Sequence, residues 1–191
     1  MEIRTAQPAA RADPGAATEG IQMIVRGRIP QQLYLAVRAD LARRHEFAAE
    51  RVGFLSARFG NSAGEERLVL FSDYHSVPDD QYIDDPRSGA RIDGTAIREA
   101  MQRVLDTGDG LFHVHHHAHR GKPGFSWMDR NETPRIISSL QVAGPDQAHG
   151  MVLLSDDFCI AHIWLPQSDQ PVVAQRLTVV GYPLQSFDTE V

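Results

Sequence analysis

Short apolar runs alternate along this chain with stretches whose apolar residues have helical spacing. The runs predict strands at 21–25, 52–59, 67–71, 111–117, 150–155, 158–164 and 172–180. The helical spacing predicts helices at 30–44, 93–105 and 134–142. Pro30 suits the first turn of a helix, and Asp93 suits an N-cap. This mixture of helices and strands predicts a mixed α/β domain.

Two segments show neither the short apolar runs nor the helical spacing. Residues 1–20 are rich in Ala, Pro, Gly and charge, so we expect a disordered tail there and a folded domain over residues 21–185. The segment 75–90 holds prolines, a glycine and several aspartates. A loop of this length inside a compact domain is often functional.

Composition excludes several classes of protein. The chain has 191 residues, 42% of them hydrophobic, which suffices for one core. A net charge of −6 argues against a phosphate-binding surface, so no nucleic acid is expected as a partner. No apolar run approaches the roughly 18–20 residues of a membrane span, and no signal-peptide pattern begins the chain. With Cys159 as the single cysteine, these features predict a cytoplasmic protein without a membrane partner.

Five of the nine histidines lie within residues 113–119. Because strand residues two apart face the same side, His113, His115 and His117 share one face and His116 lies opposite. Two such imidazoles can bind one metal ion, and zinc accepts a carboxylate as a third ligand. Asp129 suits that position because the intervening Gly and Pro residues let the chain turn back. A metal-scavenging tract or an expression tag is the alternative, but the cluster is internal and follows an apolar strand.

Two further positions carry candidate chemistry, each with a structural alternative. Ser126 and Asp129 stand three apart, which is also the spacing of a capping box at the start of a helix. Glu50 directly precedes an apolar strand, where an ordinary surface glutamate is also common.

Taken in order, Glu50, His115, His117, Ser126 and Asp129 resemble the motif of the JAMM (MPN+) zinc metalloprotease family, over residues 30–165. The resemblance implies an MPN, cytidine-deaminase-like fold with a curved mixed sheet flanked by helices. It implies that His115, His117 and Asp129 hold Zn²⁺, that Glu50 is the general base and that Ser126 stabilises the oxyanion.

One spacing departs from the family pattern. Eight residues separate His117 from Ser126, one more than usual, whereas six separate His119 from Ser126, one fewer. Ala118 also replaces the proline that often follows the second histidine. The ligand pair is therefore His115/His117 or His117/His119. We prefer the first pair because His119 lies in the Gly/Pro loop, where an insertion is easily absorbed.

The resemblance also implies a substrate class. Members typically cleave after the C-terminal tail of a ubiquitin-like modifier, and the segment 76–90, in the place of the family's insertion, is expected to grip that tail. A prokaryotic deubiquitinase-like enzyme of an antiviral conjugation system is the preferred interpretation. The alternatives are a peptidase that trims a sulfur-carrier precursor, an inactive MPN scaffold, and a metal-storage or metal-sensor protein.

Overall fold

The computed structural model describes residues 23–61 and 66–189, and its centre is a mixed β-sheet with helices on both faces. The predicted tail at 1–20 lies outside the described residues. The strands are β1 Ile24–Pro30, β2 Val52–Asn61, β3 Glu66–Ser76, β4 Gly110–His116, β5 His149–Leu154, β6 Cys159–Trp164, β7 Pro171–Val173, β8 Arg176–Val180 and β9 Gln185–Asp188. The helices are α1 Gln31–Leu41, α2 Gly94–Thr107 and α3 Trp127–Ala143, with a short 3₁₀ turn at Asp79–Gln81.

The nine described strands form one sheet in the order β7-β6-β5-β4-β2-β3-β1-β8-β9. β1 runs parallel to β3 and β8, and β4 runs parallel to β5, while the other neighbours are antiparallel. β6 and β8 also contact each other although they are distant in the strand order, so the sheet curls. These findings confirm the predicted mixed α/β class with a curved sheet flanked by helices.

Alternation along the central strands divides the buried apolar residues between the two faces of the sheet. α1 packs on one face, where Phe112 and Val114 of β4 are completely buried. α2 and α3 pack on the other face, where they cover Leu111 of β4 and Phe54 of β2. The odd-numbered residues at the end of β4 therefore lie beside α2 and α3, and the even-numbered ones face α1.

Two helices differ from the prediction. α1 ends at Leu41 rather than at residue 44, and the segment that follows is irregular. α3 begins at Trp127 rather than at residue 134, because Ser126 caps it and the helix accommodates Pro134 in its interior. The buried positions of α3 keep helical spacing on both sides of that proline. They are Thr133, Ile137 and Leu140.

The strands differ from the prediction in four places. β3 continues to Ser76 rather than ending at residue 71, because its later residues pair with β2. The strand predicted at 21–25 begins outside the described residues. β1 continues to Pro30 because Arg26–Arg28 pair with both β3 and β8, and Ile29 and Pro30 pair with β8. The strand predicted at 172–180 is two strands, because β7 pairs with β6 whereas β8 pairs with β1. β9 was not predicted, since Gln-Ser-Phe-Asp has no apolar alternation, and it is defined by its pairing with β8. None of the described helices is both long and apolar enough to cross a bilayer.

His149 lies on β5 and forms hydrogen bonds to β4 and to the residue after α3. We therefore expect the stability of the fold to depend on the protonation of His149. Its Nδ1 accepts the Leu111 N–H at 3.1 Å, so Nε2 carries the proton and donates to the Gly144 carbonyl at 2.9 Å. Burial lowers the pKa of His149 below its usual value. The unfolded chain therefore takes up a proton near pH 6.5 that folded His149 resists.

The stabilisation from neutral His149 is complete above about pH 6.5 and declines as the pH falls below that value. We expect it to contribute to the loss of unfolding free energy between pH 7 and pH 5.5, by at most about 1.4 kcal/mol per pH unit. Urea denaturation of the wild type and of His149→Gln checks this. The variant, whose amide does not titrate, should show the shallower pH dependence, and equal slopes would contradict the assignment.

Candidate metal centre

The end of β4 places three imidazoles in a row on the face covered by α2 and α3. The His113 and His115 ring centroids lie 5.4 Å apart, and those of His115 and His117 lie 5.0 Å apart. His117 follows the strand, but its N–H donates to Leu154 O at 2.9 Å and extends the β4–β5 pairing. His116 lies on the other face, with Nε2 3.2 Å from Asp156 Oδ1.

The start of α3 brings Asp129 to this row. The Ser126 hydroxyl accepts the Asp129 N–H at 3.1 Å, and Asp129 Oδ2 accepts the Ser126 N–H at 2.7 Å. The capping box considered for these two residues is therefore present. It fixes the Asp129 carboxylate with Oδ1 3.3 Å from His115 Nε2 and Oδ2 3.8 Å from His117 Nε2.

Glu50 reaches the site from the segment before β2. Its Oε1 lies 3.8 Å from His117 Nε2. Ligand atoms of Glu50, His115 and His117 all lie within 4.8 Å of one another, so this group can hold a metal ion. The exposed fraction of the side chains rises from 2% at His115 through 16% at Asp129 to 33% at Glu50. Solvent therefore reaches the centre from the Glu50 side.

His115 is the clearest sign that this site suits a metal. Among the described residues, neither of its buried ring nitrogens has a hydrogen-bond partner, although the Asp129 carboxylate is close. A buried, unpaired imidazole is costly, typically by 1–3 kcal/mol. Two ligands of a tetrahedral zinc ion with ~2.0 Å bonds lie about 3.3 Å apart, which matches the His115–Asp129 separation. The donor set therefore fits a divalent cation between these side chains.

The charges of the side chains at the centre also suit the binding of a metal ion. Burial alone opposes ionisation of Asp129, but the His115 imidazole and the hydrogen bonds from Ser126 outweigh it, so the pKa of Asp129 lies well below its usual value. Burial, followed by repulsion from His115, lowers the pKa of His117, and the same causes lower the pKa of His113 to about 3. An ionised Asp129 and a neutral His117 are the protonation states that metals bind.

His119 does not join this group. Its ring is exposed, its centroid lies 6.3 Å from that of His117, and its Nδ1 lies 2.9 Å from Arg120 O. Of the two histidine pairs that the sequence left open, the structure brings His115 and His117 to Asp129.

The loop after His117 is fastened to the β5–β6 turn, which sequence reasoning missed. The Asp156 N–H donates to His119 O at 2.8 Å, and the Gly121 N–H donates to Asp157 Oδ1 at 2.6 Å. The Ser155 hydroxyl donates to Gly121 O at 2.6 Å. These bonds hold the loop between His117 and Ser126, and nothing in the local sequence signals them.

Replacing Ser126 by alanine is expected to cost about 1 kcal/mol of unfolding free energy, because α3 loses its N-cap. Ser126→Gly should cost only a few tenths of a kcal/mol, since glycine is tolerated at N-caps. Urea denaturation of both variants measures the difference. Equal stabilities of wild type and Ser126→Ala would show that the cap contributes nothing.

No protein-family model and no curated protein matches this sequence. Among solved structures, the chain is similar to the N-terminal domain of STIL from Trichoplax adhaerens, at 8% sequence identity and a TM-score of 0.33. The match covers 71% of this chain and 40% of that chain, so this protein spans well under half of that structure's length. A likeness this slight carries no argument, and the interpretation of the site depends on its own geometry.

Proposed function

We propose that this chain is a zinc-dependent isopeptidase or peptidase of the JAMM type. Its substrate is the C-terminal tail of a ubiquitin-like modifier joined to an amine, in a bacterial conjugation system. One observation carries the proposal. Glu50, His115, His117 and Asp129 come from three separate segments and lie close together, and the buried His115 ring among them has no hydrogen-bond partner in the described part of the chain.

Zinc is the metal that the ligand set favours, because two imidazoles and one carboxylate are typical of catalytic zinc sites. The residues that would hold it are His115, His117 and Asp129. When bound there, zinc supplies Lewis-acid activation of a water molecule and of the scissile carbonyl group.

Glu50 is suited to move the proton. It is the most exposed of the four acidic and imidazole groups and lies at the open side of the centre, 3.8 Å from His117. In this position its carboxylate takes a proton from the attacking water and delivers it to the leaving amine. We therefore assign Glu50 as general base and then general acid.

Ser126 is suited to stabilise the oxyanion. Its hydroxyl oxygen accepts the Asp129 N–H, which leaves the hydroxyl proton for another acceptor. Because the side chain is exposed at the start of α3, that proton can reach a substrate oxygen beside the metal site. The capping role and the catalytic role use different parts of one hydroxyl group, so they are compatible.

The segment 76–90 is assigned to grip the substrate tail, and the structure narrows which of its acids are available. Asp79 pairs with Arg51 at 2.7 Å, and Asp85 accepts hydrogen bonds from Arg87 and Arg91. These two carboxylates are therefore already paired with arginines of this chain. Asp80 and Asp84, which make no ion pair within the described residues, are the candidates for contact with a basic tail. A solvated acidic loop is the alternative.

Hydrolysis assays test the proposal with two substrates, a linear C-terminal fusion of a ubiquitin-like protein and a lysine-linked conjugate of it. Each is incubated with zinc-loaded protein, with chelated protein and with chelated protein reloaded with zinc. The proposal predicts zinc-dependent cleavage after the modifier's last residue. Preference for the linear fusion favours precursor trimming, and stoichiometric zinc without cleavage of either substrate favours an inactive scaffold.

A further inference from the structure

Glu50 lies between two features that fix its position. We define the strap as residues 77–93, which pass beside the segment before β2. The Glu50 N–H donates to the Gly89 carbonyl of the strap at 3.0 Å. The Glu50 side chain lies against the same glycine, so the strap contacts both the backbone and the carboxylate of this residue.

Gly89 leaves room for the Glu50 carboxylate. A Cβ at position 89 would lie 2.9 Å from Glu50 Cδ, 3.0 Å from Oε2 and 3.2 Å from Oε1. The backbone of Gly89 does not have a positive φ, so alanine can adopt its conformation. An alanine methyl group would therefore collide only with the end of a flexible side chain, and the carboxylate would rotate away at little cost in stability.

Arg51 fixes the same segment at the residue next to Glu50. Its side chain is only 2% exposed, and a guanidinium that is so buried must be matched by acceptors. It donates to Arg43 O and Arg44 O, both at 3.1 Å, and to Asp79 Oδ1 at 2.7 Å. The hydrogen bond to Asp79 raises the pKa of Arg51 further, so its charge is permanent.

Two aromatic rings complete the contact between the segment and the strap. The Tyr82 hydroxyl accepts the Val52 N–H at 2.9 Å, and the His45 and Tyr82 ring centroids lie 4.4 Å apart. Arg51 itself lies 6.0 Å from the Tyr82 ring centroid. The residues on both sides of Glu50 are thus bound to the strap.

We propose that Gly89 and Arg51 are positioning residues that hold the Glu50 carboxylate at the metal centre. Gly89 acts by lacking a side chain, and Arg51 acts by anchoring the adjoining backbone to Asp79. The consequence for catalysis rests on the proposed function, whereas the placement of Glu50 does not.

Gly89→Ala is the primary variant, and Gly60→Ala is its matched control, because a Cβ at Gly60 meets nothing within 4 Å. We expect Gly89→Ala to retain one zinc per chain and the thermal midpoint of the control. Its kcat should fall on the order of 10²-fold with KM little changed, which is the scale of a misplaced catalytic group. In a Glu50→Gln background the same substitution should cause no further loss, because the two changes remove one interaction.

A crystal structure of Gly89→Ala and amide hydrogen exchange of Arg51→Met provide readouts that need no substrate. In the crystal structure of Gly89→Ala, the Glu50 carboxylate should be displaced from its wild-type position. In Arg51→Met, the Glu50 amide should exchange faster while the amides of α2 keep their protection. An unmoved carboxylate with unchanged exchange would overturn the positioning proposal, as would additive losses in the double variant. If the wild type cleaves neither substrate, the proposed function fails, and these two structural readouts still decide the placement.

Discussion

Glu50→Gln is expected to lower hydrolysis by roughly 10²–10⁴-fold, the usual contribution of a general acid-base group. Glutamine keeps the size of the side chain but cannot accept the proton of the attacking water. Zinc should remain at one per chain, because His115, His117 and Asp129 are untouched. Turnover of a linear fusion, with zinc determined by elemental analysis of the same sample, measures both effects.

The two readouts separate three roles for Glu50. Lost activity with retained zinc identifies a proton-transfer group. Lost zinc would instead make Glu50 a ligand, which its presence within 4.8 Å of His115 and His117 allows. Unchanged turnover would exclude Glu50 from the mechanism and would favour the alternative interpretation, an ordinary surface glutamate. Asp106→Asn is a suitable control, since it changes an exposed acid in the last turn of α2, outside both the metal centre and the strap.

His115→Ala is expected to abolish stoichiometric zinc binding, because it removes the most buried of the three proposed ligands. The loss should exceed the 10–100-fold that is typical of changes to residues that only support a ligand. Competition with a chromophoric chelator measures the zinc affinity. Activity should disappear with the metal and should not return at moderate zinc concentrations.

Two neighbouring histidines serve as matched controls for that experiment. His119→Ala should keep its zinc, because His119 is exposed and its ring centroid lies 6.3 Å from that of His117. His116→Ala should also keep zinc, because its ring lies on the opposite face beside Asp156. Loss of zinc in His119→Ala together with its retention in His115→Ala would establish the other ligand pair.

The parts of the site that follow from local rules could be predicted from the sequence. The strand period places His115 and His117 on one face, and the spacing of Ser126 and Asp129 predicts a capping box. Each rule acts within a few residues, so one sequence suffices to apply it. The predicted start of α3, residue 134, is still too late, because Pro134 lies in the interior of a helix that begins at Trp127.

The parts that depend on long-range packing could not be predicted. The position of Glu50 depends on Gly89 and on the hydrogen bond from Arg51 to Asp79. Both Gly89 and Asp79 are distant from Glu50 in the sequence. The division between β7 and β8 likewise arises because each strand has a different neighbour in the curled sheet. Such features depend on which distant segments meet, and apolar periodicity alone carries no information about that choice.

A crystal grown with excess zinc, with diffraction recorded on both sides of the zinc absorption edge, tests the central claim most directly. The account predicts one anomalous peak about 2.0–2.1 Å from His115 Nε2, His117 Nε2 and an Asp129 carboxylate oxygen, which are ordinary zinc–ligand distances. Those three side chains pointing apart, with no anomalous peak between them, would contradict it.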